Sequence, residues 1–133
     1  MSAPEGFSPY EDGGAFVDLI GPIHVKGEGE GRTFGLRIAE KHLNVGGVAQ
    51  GGLLATLADF SLGRAIRAGR DDDQQSATVS LTTDYLGPAK EGDWVESTTR
   101  VERVAGRIAF ADCSLQVDGR EIVRARAVFA VVS

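Results

Sequence analysis

The sequence predicts an α+β fold in which a curved antiparallel sheet of about six strands wraps around one central helix. Three observations carry this expectation. One stretch only, Leu53–Ala68, has an extended helical pattern, and its apolar side chains spread around nearly the whole circumference, so it needs cover on most sides. Segments with β-branched enrichment or alternation lie before and after it. A single helix covers a sheet of that size only by running along its middle, where the sheet can curl around it.

Taken in order, residues 1–133 read as one domain. The length and a hydrophobic content of 42% suffice to bury a core without disulfides or metal. Residues 1–14, with Pro4, Gly6 and Pro9, read as an irregular start. Ala15–Val25 (AFVDLIGPIHV) and Arg32–Ala39 (RTFGLRIA) read as the two strands of a hairpin, parted by the charged, glycine-rich turn Lys26–Gly31. Lys41–Gly52 (KHLNVGGVAQGG) breaks every periodic pattern and reads as a loop with special backbone demands. The helix Leu53–Ala68 follows, ended by Gly69 and the run Asp71–Asp73.

Thr78–Leu86, Trp94–Val104, Ile108–Val117 and Glu121–Val132 read as four further strands, expected to form an antiparallel meander. Asp118-Gly119 suits a tight hairpin turn, and Ala105-Gly106-Arg107 can serve one hairpin earlier. Such a sheet leaves exposed edges. Pairing with a second copy is the common remedy, so a homodimer is expected, extended to a dimer of dimers.

The net charge of −5 disfavours nucleic acid, since no face gathers the Lys and Arg needed to displace counterions. Arg64, Arg67 and Arg70 are followed at once by Asp71–Asp73, which reads as a solvated helix end. The start of the chain lacks the charged and apolar regions of a signal peptide, and no apolar run approaches membrane-spanning length. Cys113 is the only cysteine, so an internal disulfide is ruled out and a reducing cytoplasm fits. With His24 and His42 it makes too few ligands for zinc. Neither a metal nor a cofactor is expected.

The polar residues that remain converge on the segment His42–Asp59. Gly51 and Gly52 stand where loop becomes helix, so backbone N–H groups there lack intrahelical acceptors and carry the positive end of the helix dipole. Asn44 and Gln50 add two uncharged amides, and together these are parts for an oxyanion-type site. Asp59 is a carboxylate in an apolar helix, which costs free energy unless something pairs with it or uses it. Thr56, Asp59 and Gly63 share one narrow band of the helix, with Arg67 at its edge. Gly51 and Asp59 are about 12 Å apart along the helix axis, too far for one small reacting group to touch both. If both act in one reaction, they come from different subunits.

At these residues the sequence resembles the hotdog-fold thioesterases, in particular the acyl-CoA thioesterases of the phenylacetate-degradation (PaaI-like) type. The resemblance rests on His42-x-Asn44-x-x-Gly47-x-x-Gln50-Gly51-Gly52, then Thr56-Leu57-x-Asp59, then Tyr85-Leu86-x-Pro88-Ala89, in order over about Ala39–Val132. It implies an acyl-CoA substrate, a thioester carbonyl oriented by Asn44 and the Gly51 amide, and Asp59 of the facing subunit as nucleophile or general base toward water. It also implies that Thr78 helps to position the water or the carboxylate, while His42, Gln50 and Gly52 lie on the substrate side. The family usually has His where this chain has Gln50; a Gln still hydrogen-bonds a carbonyl but does not titrate.

Each residue also has a plainer reading. Asp59 could be bonded to a backbone donor or an arginine. Asn44 could satisfy its own turn, Thr78 could serve strand propensity, and His42 could anchor the loop. His24 and Cys113 are assigned to structure. Arg124 and Arg126 alternate on one face of the last strand and could meet a CoA phosphate, or simply form a solvated face. Two functions compete with thioester hydrolysis. One is hydration of an enoyl thioester, which usually pairs a His with an acid; the other is a non-catalytic acyl-CoA binding or sensing module, which would gain nothing from a desolvated carboxylate.

Overall fold

The computed structural model describes residues 2–69 and 75–132. In chain order these form β1 (Ser8–Pro9), α1 (Ala15–Ile20), β2 (Ile23–Lys26), β3 (Thr33–Arg37), α2 (Gly51–Ala68), β4 (Gln75–Tyr85), β5 (Trp94–Ala105), β6 (Ile108–Val117) and β7 (Arg120–Val132). The strands make one antiparallel sheet in the order β1-β2-β3-β5-β6-β7-β4. This is the curved sheet on one long helix that the sequence predicts. Leu54, Leu57, Leu62 and Ile66 of α2 share a buried core with Leu36, Val95, Leu115 and Val123 of the sheet.

The segment Ala15–Val25 is not one strand. It is α1, a turn at Gly21–Pro22, and only then β2. Val17 and Ile20, three residues apart, turn toward the core, while Phe16 and Leu19 turn outward, which is helical spacing. Pro22 lacks the N–H that a continuing strand would need. The hairpin itself stands, with Ile23 opposite Leu36 and Lys26 opposite Thr33.

The irregular start also contains a small strand. Ser8 and Pro9 pair with Val25 and His24, and this short, proline-bearing edge closes one side of the sheet. Just beyond it, Tyr10 packs edge-on against Phe34 and Phe60, with ring centroids at 5.3 and 5.6 Å.

The last four strands do not form one meander. β5, β6 and β7 do, but β4 pairs with β7 at the far edge, and β5 pairs with β3. Alternation specifies the face a side chain takes and leaves the neighbouring strand open, so sequence reading had no signal for this crossover. Between β6 and β7, Asp118 and Gly119 adopt φ values of 49° and 78°, as a two-residue hairpin turn requires.

α2 begins at Gly51, two residues before the first good helix former, because the Gln50 carbonyl already accepts from the Leu53 and Leu54 amides at 3.0 and 3.2 Å. Its burial is one-sided within the chain. Leu53, Leu57, Phe60 and their neighbours are buried, whereas Thr56, Asp59 and Gly63 are half-buried and Arg67 is exposed, a strip left partly open along the helix. Arg70 and the run Asp71–Asp73 lie outside the described residues.

Candidate active site

Two clefts flank the open strip of α2. The first, about 580 Å³, lies at the start of the helix and is bordered by Gln50, Gly52, Leu53, Thr56, His42 and residues of α1. The second, about 410 Å³, lies one to two turns further along and contains Asp59 and Thr78. Thr56 and Phe16 border both.

In the first cleft the geometry of the helix start is held by hydroxyl groups. The N–H groups of Gly51 and Gly52 precede the first intrahelical donors, so the helix itself offers them no acceptor. The carbonyls of the same two residues are both engaged: Tyr85 Oη donates to Gly51 O at 2.8 Å, and Thr56 Oγ1 donates to Gly52 O at 2.9 Å. The Tyr85 ring lies so close that a Cβ at Gly51 would sit 3.3 Å from its Cζ. The Gly51 carbonyl shares its peptide with the Gly52 N–H, so the Tyr85 bond sets the direction of that N–H. The Gly51 N–H is set through the Gln50 carbonyl, which accepts from Leu53 and Leu54. Fixed donors of this kind suit a developing oxyanion.

His42 is buried, and both ring nitrogens are committed within the chain. Nδ1 accepts from the Ala39 amide at 2.8 Å, and Nε2 faces the Ile20 carbonyl at 2.5 Å, so the ring is the neutral Nε2–H tautomer. The His42 carbonyl in turn accepts from the Gln50 amide at 2.8 Å. Histidine thereby anchors the loop ahead of α2, and the cleft meets its ring rather than a free nitrogen.

Asn44 is turned into its own loop. Its Oδ1 accepts from the amides of Gly46 at 2.9 Å and Val48 at 3.3 Å, while its backbone N–H donates to Val48 O at 2.7 Å. With Oδ1 so engaged, the Nδ2 amide is the part of the side chain left for another molecule.

In the second cleft Thr78 Oγ1 donates to Asp59 Oδ1 at 2.7 Å, joining β4 to α2. The register of β4 on β7 shifts between Thr78 and Ser80, a bulge at Val79. That bulge changes the parity of the strand. Thr78, Leu81 and Tyr85 all reach the α2 side, although unbroken alternation would put Thr78 opposite the other two.

The structure thus gathers Gln50, Gly52 and His42 at one cleft and Asp59 with Thr78 at another, and turns the Asn44 carbonyl away from both. Sequence reading gave no role to Tyr85, Thr56, Phe16 or Leu19. Tyr85 lies within a motif that suggests no partner for it, and the pattern of Ala15–Val25 places the two α1 residues in a strand.

Other reactive groups lie elsewhere. Burial pushes the Cys113 thiol up to about 12, so it is no thiolate nucleophile. On the outer sheet face Arg124 binds Glu121 at 2.7 Å and Arg126 binds Glu102 at 3.0 Å, the solvated face of the plainer reading. The guanidinium of Arg100 holds the Asp112 carboxyl below its usual range through a 2.9 Å hydrogen bond. Among the described residues no group of His, Cys, Asp and Glu is disposed to hold a metal, and no helix is long and apolar enough to cross a membrane.

A family model described as "Thioesterase superfamily" matches residues 46–123, which span α2, β4, β5, β6 and the start of β7. A Pseudomonas aeruginosa protein described as "Putative esterase PA0474" is 42% identical over 130 residues, with 97% of each chain covered. Among solved structures, the E. coli PaaI protein from the phenylacetic acid degradation operon superposes with a TM-score of 0.81 at 17% identity, covering 89% of this chain and 84% of that one. A hypothetical thioesterase from Streptococcus pneumoniae, solved with coenzyme A, superposes with a TM-score of 0.77 at 19% identity, covering 84% and 89%.

Proposed function

This chain belongs to the thioesterase superfamily and has its hotdog fold, and from that premise we propose that it hydrolyses acyl-CoA thioesters at a site shared between two subunits. The class of enzyme follows from the family. The assignment of residues is our reading, supported chiefly by the separation of the two clefts along α2.

The Gly51 and Gly52 amides and the Asp59 carboxylate stand on one helix, eight residues apart, about 12 Å along its axis. Each cleft is half of a hydrolytic site: one has the backbone donors at the start of α2 and no carboxylate, the other has the carboxylate and not the start of α2. A second copy packed with α2 antiparallel to the first brings the partner subunit's Asp59 opposite the Gly51 amide, and two complete sites result. The open strip of α2 and the long, exposed edge strand β4 support such a homodimer, with dimers pairing further into a tetramer.

In that arrangement the thioester carbonyl sits at the Gly51 and Gly52 N–H groups, with the Asn44 and Gln50 amides beside it. Asp59 takes a proton from water as the water oxygen adds to the carbonyl carbon. The tetrahedral oxyanion is held by the amides; its collapse breaks the C–S bond, releases CoA as thiolate and leaves the free acid. Thr78 orients the carboxylate. In the alternative course Asp59 adds directly to the carbonyl carbon, the C–S bond breaks to release CoA as thiolate, and the resulting anhydride is then cleaved by water. A single turnover in ¹⁸O water identifies the anhydride course when water cleaves it at the Asp59 carbonyl: solvent oxygen then enters Asp59 and the first product carries none, whereas with Asp59 as base the first product carries it.

The solved structure with coenzyme A lends support to acyl-CoA as the substrate class. The decisive experiment is Asp59→Asn. Thiol release from acyl-CoA should fall to the uncatalysed rate while circular dichroism and sedimentation remain those of the wild type. Undiminished hydrolysis would refute the assignment, and acyl-CoA binding by a wild type without thiol release would favour a sensing module.

A further inference from the structure

Phe16 and Leu19 are 61% and 73% exposed, an unusual state for two large apolar side chains placed side by side on a six-residue helix. Both border the cleft at the start of α2. With Ile20, Leu43 and Leu53 they make the apolar wall of the cleft that Gly52 also borders.

Most polar side chains of this cleft are already bonded inside the protein. His42 has both nitrogens committed, Thr56 Oγ1 donates to Gly52 O, and Lys41 Nζ donates to Leu19 O at 3.2 Å. Gln50 is the polar side chain left over. A pantetheine arm carries two amides that need hydrogen-bond partners, and this wall leaves them nearly none. A hydrocarbon needs none, and the volume of about 580 Å³ falls within the range of small-molecule sites.

The wall is also held in place. Lys41 and His42, from the short turn Glu40–His42, bind the carbonyls of Leu19 and Ile20, the last two of α1. These carbonyls would otherwise lack partners at the helix end. Two side chains from the loop that leads into Gly51 therefore fix α1 relative to the amide end of α2.

We propose that α1 is the acyl-side wall of the active site, with Phe16 and Leu19 as specificity-determining residues that select medium-chain or aromatic acyl groups over acetyl. The inference rests on the thioesterase reading. It commits to the acyl group as occupant because the acyl chain is bonded directly to the carbonyl carbon, and Gly52, whose amide holds that carbonyl on this reading, borders the same cleft as this wall.

The test compares the wild type with the double variant Phe16→Ala/Leu19→Ala, using acetyl-, decanoyl- and phenylacetyl-CoA in a thiol-release assay. Both residues are exposed, so the fold is expected to survive. The wild type should prefer the larger substrates, and the double variant should lower their kcat/KM relative to that of acetyl-CoA by about tenfold or more. Binding of the unreactive thioether S-decyl-CoA, measured against CoA alone, should lose a comparable factor. An unchanged ratio overturns the proposal, as does a wild type that prefers acetyl-CoA. A double variant of smaller sedimenting mass also overturns it, since the wall would then be a contact between copies. A wild type that cleaves no acyl-CoA refutes the thioesterase reading instead.

Discussion

Thr78 Oγ1 donates to Asp59 Oδ1 at 2.7 Å, and this hydrogen bond ties the bulged strand β4 to the open strip of α2. On the proposed mechanism Asp59 Oδ2 is then the oxygen that meets water or substrate. Thr78→Val keeps the shape and removes the donor. It is expected to lower kcat by about tenfold, equivalent to about 1.4 kcal/mol, with a smaller change in KM. Thr78→Ser should retain most of the rate. Equal kcat in wild type and Thr78→Val would show that the bond is structural only.

Tyr85 holds the other end of the segment through its 2.8 Å bond to Gly51 O. Tyr85→Phe preserves the ring and removes the hydroxyl. We expect kcat to fall several-fold and thermal stability to change little, because the residue is half exposed. Gly51→Ala tests the same geometry from the opposite side. The added methyl would meet the Tyr85 ring and hydroxyl at 3.3 to 3.5 Å, so the Tyr85 side chain must give by a few tenths of an ångström against its bond to Gly51 O, and activity should drop at least as far as in Tyr85→Phe. Steady-state kinetics on both variants, alongside their melting curves, decide the matter.

Cys113 makes a pH prediction. Its thiol ionises near 9 when exposed and is pushed up to about 12 in the fold by burial, with the Asp112 charge adding to the effect. Above about pH 9 the unfolded chain gives up this proton while the folded chain keeps it. The contribution is fully present below pH 9 and is lost as pH rises toward 12, at most on the order of 4 kcal/mol over the whole window. Denaturant unfolding of wild type and Cys113→Ala at pH 7.5 and 10.5 measures it: the wild type should lose more stability. In the native state at pH 8 the thiol should resist alkylation, and it should react at once in denaturant.

Much of the architecture was legible because it follows from local pattern. The single helix, its polar strip, the glycine-rich entry loop and the Asp118-Gly119 turn all announce themselves in residue type and spacing. Ala15–Val25 misled for a definable reason: AFVDLI is too short for helical periodicity to outweigh strand-like alternation, and the break at Pro22 was the cue that it was not one strand. The site divides in the same way. Asp59 and the Gly51–Gly52 entry could be singled out because each violates the pattern around it. The commitments of His42 to Ala39 and Ile20, and of the Asn44 carbonyl to its own loop, are contacts with backbone atoms, which leave no mark on residue type.

By itself, then, the sequence determined the fold class, the helix and the identity of its unusual polar residues, since periodicity and the cost of burying a charge are properties of the chain alone. Only the tertiary structure decided where β4 pairs and which of its side chains meet α2. Neighbour choice in a sheet depends on the whole packing, and a one-residue bulge at Val79 reverses the parity that alternation would assign. That reversal is why Thr78 and Tyr85, seven residues apart on one strand, both turn to the same helix, one to its carboxylate and the other to its first peptide.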